Sequence, residues 1–185
     1  MVEKRPLAKD FCAVGAAAGR SRSCVSGQHA CKSTPLRRWR KRGEKNQAVG
    51  ASRGGRNTKI HALSDRQCRP VAFHLTGGQV ADITGGEPLA LLLRAIAAFI
   101  ADKAYDCARL RDRLTRRGTT VVIPNKCNRK KPYKFDATLY KLRNTIERMF
   151  GRLKDFRRIA TRYDKLARNF LASLCLASIV AYWLK

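Results

Sequence analysis

Alternating apolar and polar residues near the middle of the chain predict a β-hairpin. Residues 58–65 and 70–78 each place apolar side chains at every second position, which is the period of a half-buried strand. The second stretch ends at Gly77–Gly78, a turn signal. Because few residues separate the two stretches, we expect them to pair. His61 and His74 lie within these strands, where a lone histidine is more often structural than catalytic.

Downstream of the hairpin, the apolar pattern predicts helices that alternate with short strands. The helical segments are a run that begins at Asp82, residues 105–118 with Gly118 as the C-terminal cap, a long helix from the N-cap Asp136 to about Ile159, and residues 165–184. The strands are residues 98–102 and 119–124. The resulting order, β-β-α-β-α-β-α-α, predicts an α/β fold in which a mixed sheet is flanked by helices.

The chain before the hairpin shows little hydrophobic periodicity. Residues 1–35 are predicted to be irregular, whereas residues 36–59 contain nine basic residues and one acid. Glycines interrupt this basic stretch, so it is interpreted as an exposed loop that leads into a strand. Solubility alone is the competing explanation for its charge.

The charge of the whole chain favours a polyanionic partner. Lysines and arginines number 40 and acids 13, which gives a formal net charge of +27. Such an excess repels itself in the compact state, and DNA relieves that repulsion because each phosphate contact also releases counterions. Histone-like packing and ribosomal binding are the alternatives. The residues predicted to contact DNA are Arg37, Arg38, Arg40, Lys41, Arg42, Arg53, Arg56, Lys126, Arg129, Lys130 and Arg152.

Cysteine usage and hydropathy exclude two further classes of protein. The seven cysteines include no C-x-x-C pair, which argues against a zinc ribbon and against a disulfide framework. Cys24, His29 and Cys31 are close in sequence, but no second ligand pair accompanies them at a matching distance. The apolar run at residues 170–184 is shorter than the ~20 residues that span a bilayer, so it predicts a buried core helix rather than a membrane anchor.

One face of the long predicted helix combines a single glutamate with basic and aromatic residues. At about 100° per residue, Tyr140, Arg143, Glu147 and Lys154 fall within an arc of about 60°, beside an apolar stripe. Arg143 and Glu147 could form an ordinary i,i+4 ion pair on a solvated face, worth ~0.2–0.5 kcal/mol. Alternatively, Glu147 binds a divalent metal while Arg143 and Lys154 hold phosphate and Tyr140 supports the site. Helical spacing leaves both interpretations open.

Asp102 adds weight to the second interpretation. It ends the predicted strand at 98–102, and in open sheets the carboxyl ends of strands often carry a site. A carboxylate there and another on a later helix can together hold Mg²⁺, which prefers oxygen ligands. Two such ions about 3.5–4 Å apart would clamp the attacking and leaving oxygens of a phosphoryl transfer. Asp102 and Glu147 are therefore predicted to be catalytic metal ligands for Mg²⁺ or Mn²⁺.

The spacing Tyr140-x2-Arg143-x3-Glu147-x6-Lys154 resembles the Y-(2)-R-(3)-E-(6)-K signature of IS5-type transposases in the IS4/IS5 superfamily. The blocks SRGGRNTKIHAL, LTGGQVADIT, ADKAYD and ERMFGRLKDFRRIATRYDK resemble the same family. The resemblance implies an RNase H-like core with a D-D-E metal triad that cuts DNA at element ends and joins the freed 3′-hydroxyl to a target. It implies that Asp102 and Glu147 are the second and third acids, supported by the other signature residues.

The first acid of that triad is missing from its expected place. Residues 11–27 contain neither Asp nor Glu, and Asp10 and Asp65 lie in the wrong context to replace it. The resemblance covers residues 28–185, the predicted catalytic core, and dissolves upstream. Residues 1–27 are therefore interpreted as an irregular segment left by truncation or by a shift of reading frame. We expect a core with an incomplete first strand region, which binds DNA but is impaired in strand transfer.

Two other functions fit the same core. One is a DNA-binding remnant without catalysis, and the other is an RNase H-like nuclease that uses water as its only nucleophile. The predicted partner is double-stranded DNA, both the terminal repeats of the element and the target, and a homo-oligomer is expected. A place in the bacterial cytoplasm, at the nucleoid, follows from these expectations, and no membrane role is predicted.

Overall fold

The computed structural model describes residues 12–13, 30–33, 47–53, 55–92 and 96–184. The strands are β1 (Cys12–Ala13), β2 (Ala30–Ser33), β3 (Gly50–Ser52), β4 (Gly55–Ser64), β5 (Pro70–Gly77), β6 (Ala98–Ile100), β7 (Thr120–Val122) and β8 (Thr161–Arg162). The helices are α1 (Asp82–Leu92), α2 (Ala108–Arg116), α3 (Ala137–Tyr140), α4 (Asn144–Lys154), α5 (Arg157–Ala160) and α6 (Ala167–Tyr182). Two 3₁₀ turns span Lys103–Tyr105 and Lys141–Arg143. The mixture of strands and helices confirms the predicted α/β class.

Several predictions concern parts of the chain outside these described residues. They are the DNA contacts of Arg37, Arg38, Arg40, Lys41 and Arg42, the grouping of Cys24 with His29, and the place of Asp10.

The predicted hairpin is confirmed. β4 and β5 pair antiparallel, with Ile60 opposite Leu75 and His61 opposite His74. Alternate side chains of β4 enter two different apolar clusters, because a strand points successive residues to opposite faces. Ile60 belongs to the cluster under α4 and α6, and Leu63 belongs to the cluster under α1 and α2. β4 is therefore buried on both faces and forms the centre of the molecule.

The prediction of an exposed basic loop over residues 36–59 is wrong for β3 and for the start of β4, although Arg53 and Arg56 are exposed as predicted. β3 pairs antiparallel with the start of β4, and Gly55 takes a φ of 97° at the turn between them. This left-handed conformation suits glycine, which has no Cβ to clash. Asn57 and Lys59 are buried despite their polarity, because each finds a partner: Asn57 Nδ2 donates to Ser52 Oγ, and Lys59 Nζ donates to Asp82 Oδ1. The charge pattern of this stretch therefore does not predict exposure, because the pairing of the backbone into a sheet determines which residues are buried.

A parallel sheet lies beside the hairpin sheet. β6 pairs in parallel with β1 on one side and with β7 on the other, and β1 also contacts β4. β2 joins the hairpin sheet antiparallel to β4 and parallel to β8. The prediction that residues 1–35 are irregular is therefore wrong at β1 and β2, because long-range backbone pairing makes these segments strands. Strand β6 ends at Ile100, two residues before the predicted end, and Ala101 and Asp102 continue in an extended path. This arrangement carries Asp102 to the carboxyl edge of the parallel sheet.

Helix α1 lies close to the sheet because two of its residues are glycines. A methyl group at Gly85 would lie 2.2 Å from Nε2 of His61, and one at Gly86 would lie 1.9 Å from Cε1 of Tyr105. Real Cβ atoms do not approach other heavy atoms this closely, so the helix backbone rests directly on two ring side chains. The Thr-Gly-Gly sequence in α1 is thereby explained by packing.

The long helix predicted from Asp136 to about Ile159 is interrupted. Asp136 is the N-cap, as predicted, and its Oδ1 accepts hydrogen bonds from the backbone N–H groups of Thr138 and Leu139. A 3₁₀ turn separates α3 from α4, and Phe156 then takes an extended conformation with ψ at 108° that ends the helical path before α5. The apolar stripe is confirmed, since Ile146, Met149, Phe150 and Leu153 are buried.

The C-terminal helix α6 is confirmed, but its burial is one-sided. Phe170 and Leu174 are fully buried in the cluster beneath it, so this face belongs to the core. The opposite face and the residues after the helix expose apolar side chains, namely Leu176, Ile179, Val180, Trp183 and Leu184. Within the described parts of the chain, no helix combines the length and hydropathy needed to cross a bilayer.

A buried arginine links β8 to β4 and to the segment that precedes β3. Arg162 on β8 is 1% exposed, and its guanidinium donates to backbone carbonyls of Gln47, Asp164 and Lys165. It also donates to the hydroxyl of Thr58 on β4. Such multiple hydrogen bonding is what makes a buried charge tolerable.

Candidate active site

Asp102 lies just beyond the parallel strand β6, where it is 8% exposed. Its carboxylate caps the following 3₁₀ turn, because Oδ1 accepts a hydrogen bond of 2.7 Å from the backbone N–H of Lys103. Ile100 and Ala101 before it are completely buried. The fixed strand and the capped turn together hold this carboxylate at the sheet edge.

Glu147 lies in the first turn of α4 and forms an ion pair with Arg143. Arg143 Nη2 donates to Glu147 Oε1 over 2.6 Å, and the two side chains are only 12% and 20% exposed. The i,i+4 pair anticipated from the sequence is therefore present, but it is half-buried rather than on a solvated face. In such a place the carboxylate is oriented by the guanidinium more firmly than an exposed pair would be.

Tyr140 connects the strand acid with the helix acid. Burial raises the pKa of the Tyr140 phenol, the positive charge of Arg143 lowers it, and the negative charges of Asp102 and Glu147 both raise it. Because such effects fade with distance, both carboxylates must lie near the phenol. The Arg143 guanidinium also lies over the Tyr140 ring, 5.6 Å from its centroid. Asp102 and Glu147, 45 positions apart in sequence, are thus on the same side of the molecule.

Lys154, the fourth residue of the signature, is exposed in the last turn of α4. It is two helical turns beyond Glu147, about 10 Å along the axis. The contact of Lys154 with a phosphate remains a prediction.

A buried hydrogen-bond network joins Tyr105, His61 and Thr76. The Tyr105 hydroxyl shares a 3.1 Å hydrogen bond with Nδ1 of His61, whose Nε2 shares a 2.8 Å bond with the hydroxyl of Thr76. Burial, together with the charges of His74 and Lys59, lowers the pKa of His61 to about 4, so the ring is neutral. Burial also raises the pKa of Tyr105, and Asp82 and Asp102 add to that effect. His61 is thus a structural residue, as its strand position suggested.

The basic loop of residues 125–134 begins next to this site. Its Arg129 is bound to Asp106 by two hydrogen bonds of 2.8 and 2.9 Å, so much of this guanidinium is already engaged. Lys126 and Lys130 are exposed. Of the other residues predicted to contact DNA, Arg53 and Arg56 are exposed at the β3–β4 turn, and exposed Arg152 lies over the ring of Tyr182 at 5.2 Å. The DNA contacts of all these residues remain predictions.

The family of the chain follows from comparison with known proteins. A model of the transposase DDE domain matches residues 25–184, which is most of the chain. The chain belongs to the DDE transposases of insertion sequences. The recognition made from the signature residues is thereby confirmed.

Two relatives carry names from this family. A Brucella ovis protein named as a transposase for insertion sequence element IS6501 is 33% identical over 130 residues, which cover 69% of this chain and 98% of the relative. A Burkholderia cepacia protein named as a transposase for insertion sequence element IS402 is 30% identical over 137 residues, which cover 68% of this chain and 63% of the relative. The chain therefore spans nearly the whole of the first and less than two thirds of the second.

The DDE family uses divalent metal ions, and the donor chemistry of Asp102 and Glu147 suits Mg²⁺ or Mn²⁺. The number of donors falls short. Across the described parts of the chain, no three His, Cys, Asp or Glu side chains come together in a way that could hold a metal ion. Strand β1, which lies beside β6, carries Cys12 and Ala13 in its described residues and hence no carboxylate. Within the described residues, the predicted metal ligands are therefore two carboxylates, Asp102 and Glu147.

The sequence pattern missed two residues of this region. The pattern assigns no role to Asp106, although it binds two arginines, and predicts Asp82 only as the start of a helix, although its carboxylate pairs with Lys59 at 2.6 Å. The block ADKAYD contains a signal for the first, because its two acids are separated by one short turn. Nothing in the local pattern distinguishes which of the two acids is engaged in ion pairs.

Proposed function

We propose that the chain is the DNA-binding catalytic core of an insertion-sequence transposase, impaired in strand transfer by the loss of the first acid. Its substrates are the terminal repeats of the element and a target duplex. The observation that carries the proposal is the position of Tyr140, whose phenol is close to both Asp102 and Glu147. The charges of Asp102 after β6 and of Glu147 on α4 both act on this phenol, which supports their assignment as the second and third acids of a D-D-E arrangement.

The strand arrangement supports an RNase H-like core. An antiparallel hairpin, β4–β5, lies beside a parallel set, β1–β6–β7, and β1 contacts β4 at the junction. Helices α4 and α6 cover one face and helices α1 and α2 the other. In this proposal residues 28–185 form the core, and β1, which lies upstream of it at Cys12–Ala13, adds a strand beside β6.

The residues of the site would divide the work as follows. A divalent ion held by Asp102 and Glu147 would act as a Lewis acid on the reacting phosphate. Arg143 orients Glu147 through their ion pair and, with Lys154, offers positive charge to the phosphate backbone. Tyr140 closes the space between the two acids. Exposed basic residues around the site supply the sequence-independent part of DNA affinity.

The same arrangement explains why chemistry would be weak. Two carboxylates can hold one ion loosely, but the clamp of two ions needs a third carboxylate to bridge them. DNA binding needs none of these acids, since it depends on the basic surface. In this proposal the affinity for DNA is retained, whereas the joining of the element end to the target is reduced or lost.

A strand-transfer assay tests this proposal. The purified chain is incubated with a duplex that carries the terminal repeat with a recessed 3′-hydroxyl, a plasmid target, and Mg²⁺ or Mn²⁺. We expect DNA binding without joined products, and the same binding by Asp102→Asn and Glu147→Gln. The proposal that strand transfer is impaired would be refuted if the unaltered chain joined DNA efficiently and these two substitutions abolished the joining. Products that arise by hydrolysis alone, with water as nucleophile, would instead favour the nuclease.

A further inference from the structure

The loop of residues 125–134 is tied to the protein by one buried carboxylate. The side chain of Asp106 is completely buried and accepts hydrogen bonds from Nε of Arg111 at 2.8 Å and from Arg129 at 2.8 and 2.9 Å. It accepts a further bond of 2.9 Å from the backbone N–H of Lys126. Four donor atoms surround this single carboxylate, and the three that belong to Lys126 and Arg129 of the loop fix where the loop begins.

Electrostatics keep this carboxylate ionised. Burial acts to raise the pKa of Asp106, but hydrogen bonds from Arg129, the backbone of Lys126 and Arg111 lower it to about 2. The cluster of one acid and two arginines keeps a net positive charge, since a single carboxylate neutralises only one guanidinium.

The far end of the loop is closed by Tyr133 and Asn125. The Tyr133 ring lies against the guanidinium groups of Arg111 and Arg129, 4.5 and 4.8 Å from its centroid. Asn125 Nδ2 donates to the Tyr133 carbonyl, and Asn125 Oδ1 accepts from the Tyr133 N–H; each hydrogen bond is 3.0 Å long. Arg111 also donates to the carbonyl of Ile123, just after β7, over 2.6 Å. Both ends of the loop are therefore held by the same cluster.

Between its closed ends the loop forms an open groove of about 440 Å³. Asp106 and Arg129 contribute to its lining, and the exposed residues Lys126, Asn128, Lys130 and Lys131 supply the rest. Four cations against one buried, paired carboxylate make this groove strongly positive. An extended backbone of phosphodiesters suits it, because phosphates bind lysine as point charges and accept hydrogen bonds from amides.

The groove has a fixed position relative to Asp102. Asp102 and Asp106 lie at the two ends of one 3₁₀ turn, which is closed by hydrogen bonds from Tyr105 N to Asp102 O and from Asp106 N to Lys103 O. Any phosphate bound by the loop is thus held at a set distance from the acid site.

We propose that residues 126–131 are a preformed binding site for the DNA phosphate backbone, and that Asp106 and Arg129 are positioning residues that hold it beside Asp102. Arg129 then acts chiefly by fixing the loop, and Lys126, Lys130 and Lys131 neutralise the phosphates. This inference rests on the proposed DNA-binding function and adds to it where the strand near the reacting phosphate is held.

The experiment measures binding of a short duplex by the full chain as a function of salt concentration. Loss of one phosphate contact reduces the slope of log K against log salt by about 0.9. We expect the double variant Lys130→Ala, Lys131→Ala to lower that slope by nearly 2 and to weaken binding at least tenfold. The control Arg116→Ala, an exposed cation on α2 away from the groove, should change the slope by less than 0.5, roughly half of one contact.

A charge-preserving variant separates positioning from simple charge. Arg129→Lys keeps the net charge but loses the paired contacts with Asp106, so we expect weaker binding, a lower salt slope and faster hydrogen exchange at Lys126. Circular dichroism verifies that the variant remains folded. Unchanged binding by folded Arg129→Lys, or by the double lysine variant, would overturn the inference. Failure of the unaltered chain to bind DNA would instead refute the proposed function.

Discussion

Asp102 and Asp106 stand at opposite ends of one 3₁₀ turn, yet their surroundings differ. Asp106 is sealed from solvent and saturated by two arginines and a backbone N–H, which hold its pKa near 2. Asp102 keeps some exposure and accepts from a backbone N–H, and its negative charge, like that of Glu147 on α4, raises the pKa of Tyr140. A fully satisfied carboxylate serves architecture, whereas a partly satisfied one can still take a ligand. Only the three residues Lys103–Tyr105 separate the structural carboxylate from the predicted metal ligand.

The sharpest way to break this comparison is to remove each carboxylate in turn. We expect Asp106→Ala to lower the free energy of unfolding by about 3–5 kcal/mol, because it strands two guanidinium groups at a buried site. Asp102→Ala should cost less than about 1 kcal/mol, the worth of one capping hydrogen bond. Urea unfolding followed by circular dichroism gives both values. Equal losses for the two variants would contradict the division of roles.

Acidification should destabilise the protein in two separate pH ranges, the first set by His61 and the second by Asp106. The folded pKa of His61 is about 4, below its unfolded value of 6.5, so the neutral ring is favoured by the fold. Stability is therefore unaffected by His61 above pH 6.5 and falls by about 3 kcal/mol as the pH drops from 6.5 to 4. The contribution of Asp106, whose pKa is lowered from 3.8, persists above pH 3.8 and is lost as the pH falls towards 2. Thermal unfolding of the native chain and of His61→Gln across this range tests the order, since the variant should lack the first decline.

Packing behind the acid site can be tested with glycines. Gly86→Ala would place a methyl group against the ring of Tyr105, and we expect a loss of about 1–3 kcal/mol from overpacking. Gly151→Ala on the exposed side of α4 is the matched control, because no atom lies within 4 Å of the added methyl group. It should stabilise the helix by ~0.5–1 kcal/mol. Similar changes in the free energy of unfolding for Gly86→Ala and Gly151→Ala would show that α1 does not pack against Tyr105.

The smallest expected effect is the most direct measure of where the acids lie. Neutralising Asp102 or Glu147 removes a negative charge near Tyr140, so Asp102→Asn and Glu147→Gln should each lower the pKa of that phenol. Arg143→Ala should raise it. Ultraviolet titration, with Tyr140→Phe used to identify the signal, measures these shifts. A phenol pKa that responds to Glu147 but not to Asp102 would place the strand acid elsewhere.

Much of the fold could be predicted because local periodicity coincided with tertiary burial. The alternation in β4 and the apolar stripe of α4 led directly to elements whose apolar residues are buried, and the alternating apolar residues of β5 are partly buried. The pattern failed where long-range partners prevailed over local composition. Lys59 belongs to a basic stretch, but its ammonium group pairs with Asp82 and it lies in the sheet. Phe156 fits the helical stripe, but its backbone is extended and the helix ends there.

The candidate site could be anticipated only in part for a similar reason. Spacing brought Tyr140, Arg143 and Glu147 to one edge of a helix, and the structure places an ion pair and a stacked guanidinium among them. Spacing cannot relate that helix to a strand 45 positions earlier, and only the fold brings Asp102 near Tyr140. Nor could it reveal that Arg129, counted among the DNA-contacting cations, is engaged by Asp106.

Arg162 makes the described core sensitive to damage at its far end. Its guanidinium fastens Thr58 and the carbonyl of Gln47 to the segment at Asp164 and Lys165. A stop codon or frame change just upstream of position 162 would thus do more than delete α6. It would leave a hydroxyl of the central strand and a backbone carbonyl without their donor, more than a hundred positions away. Changes late in the chain would therefore also disturb the hydrogen bonding of Gln47 and Thr58.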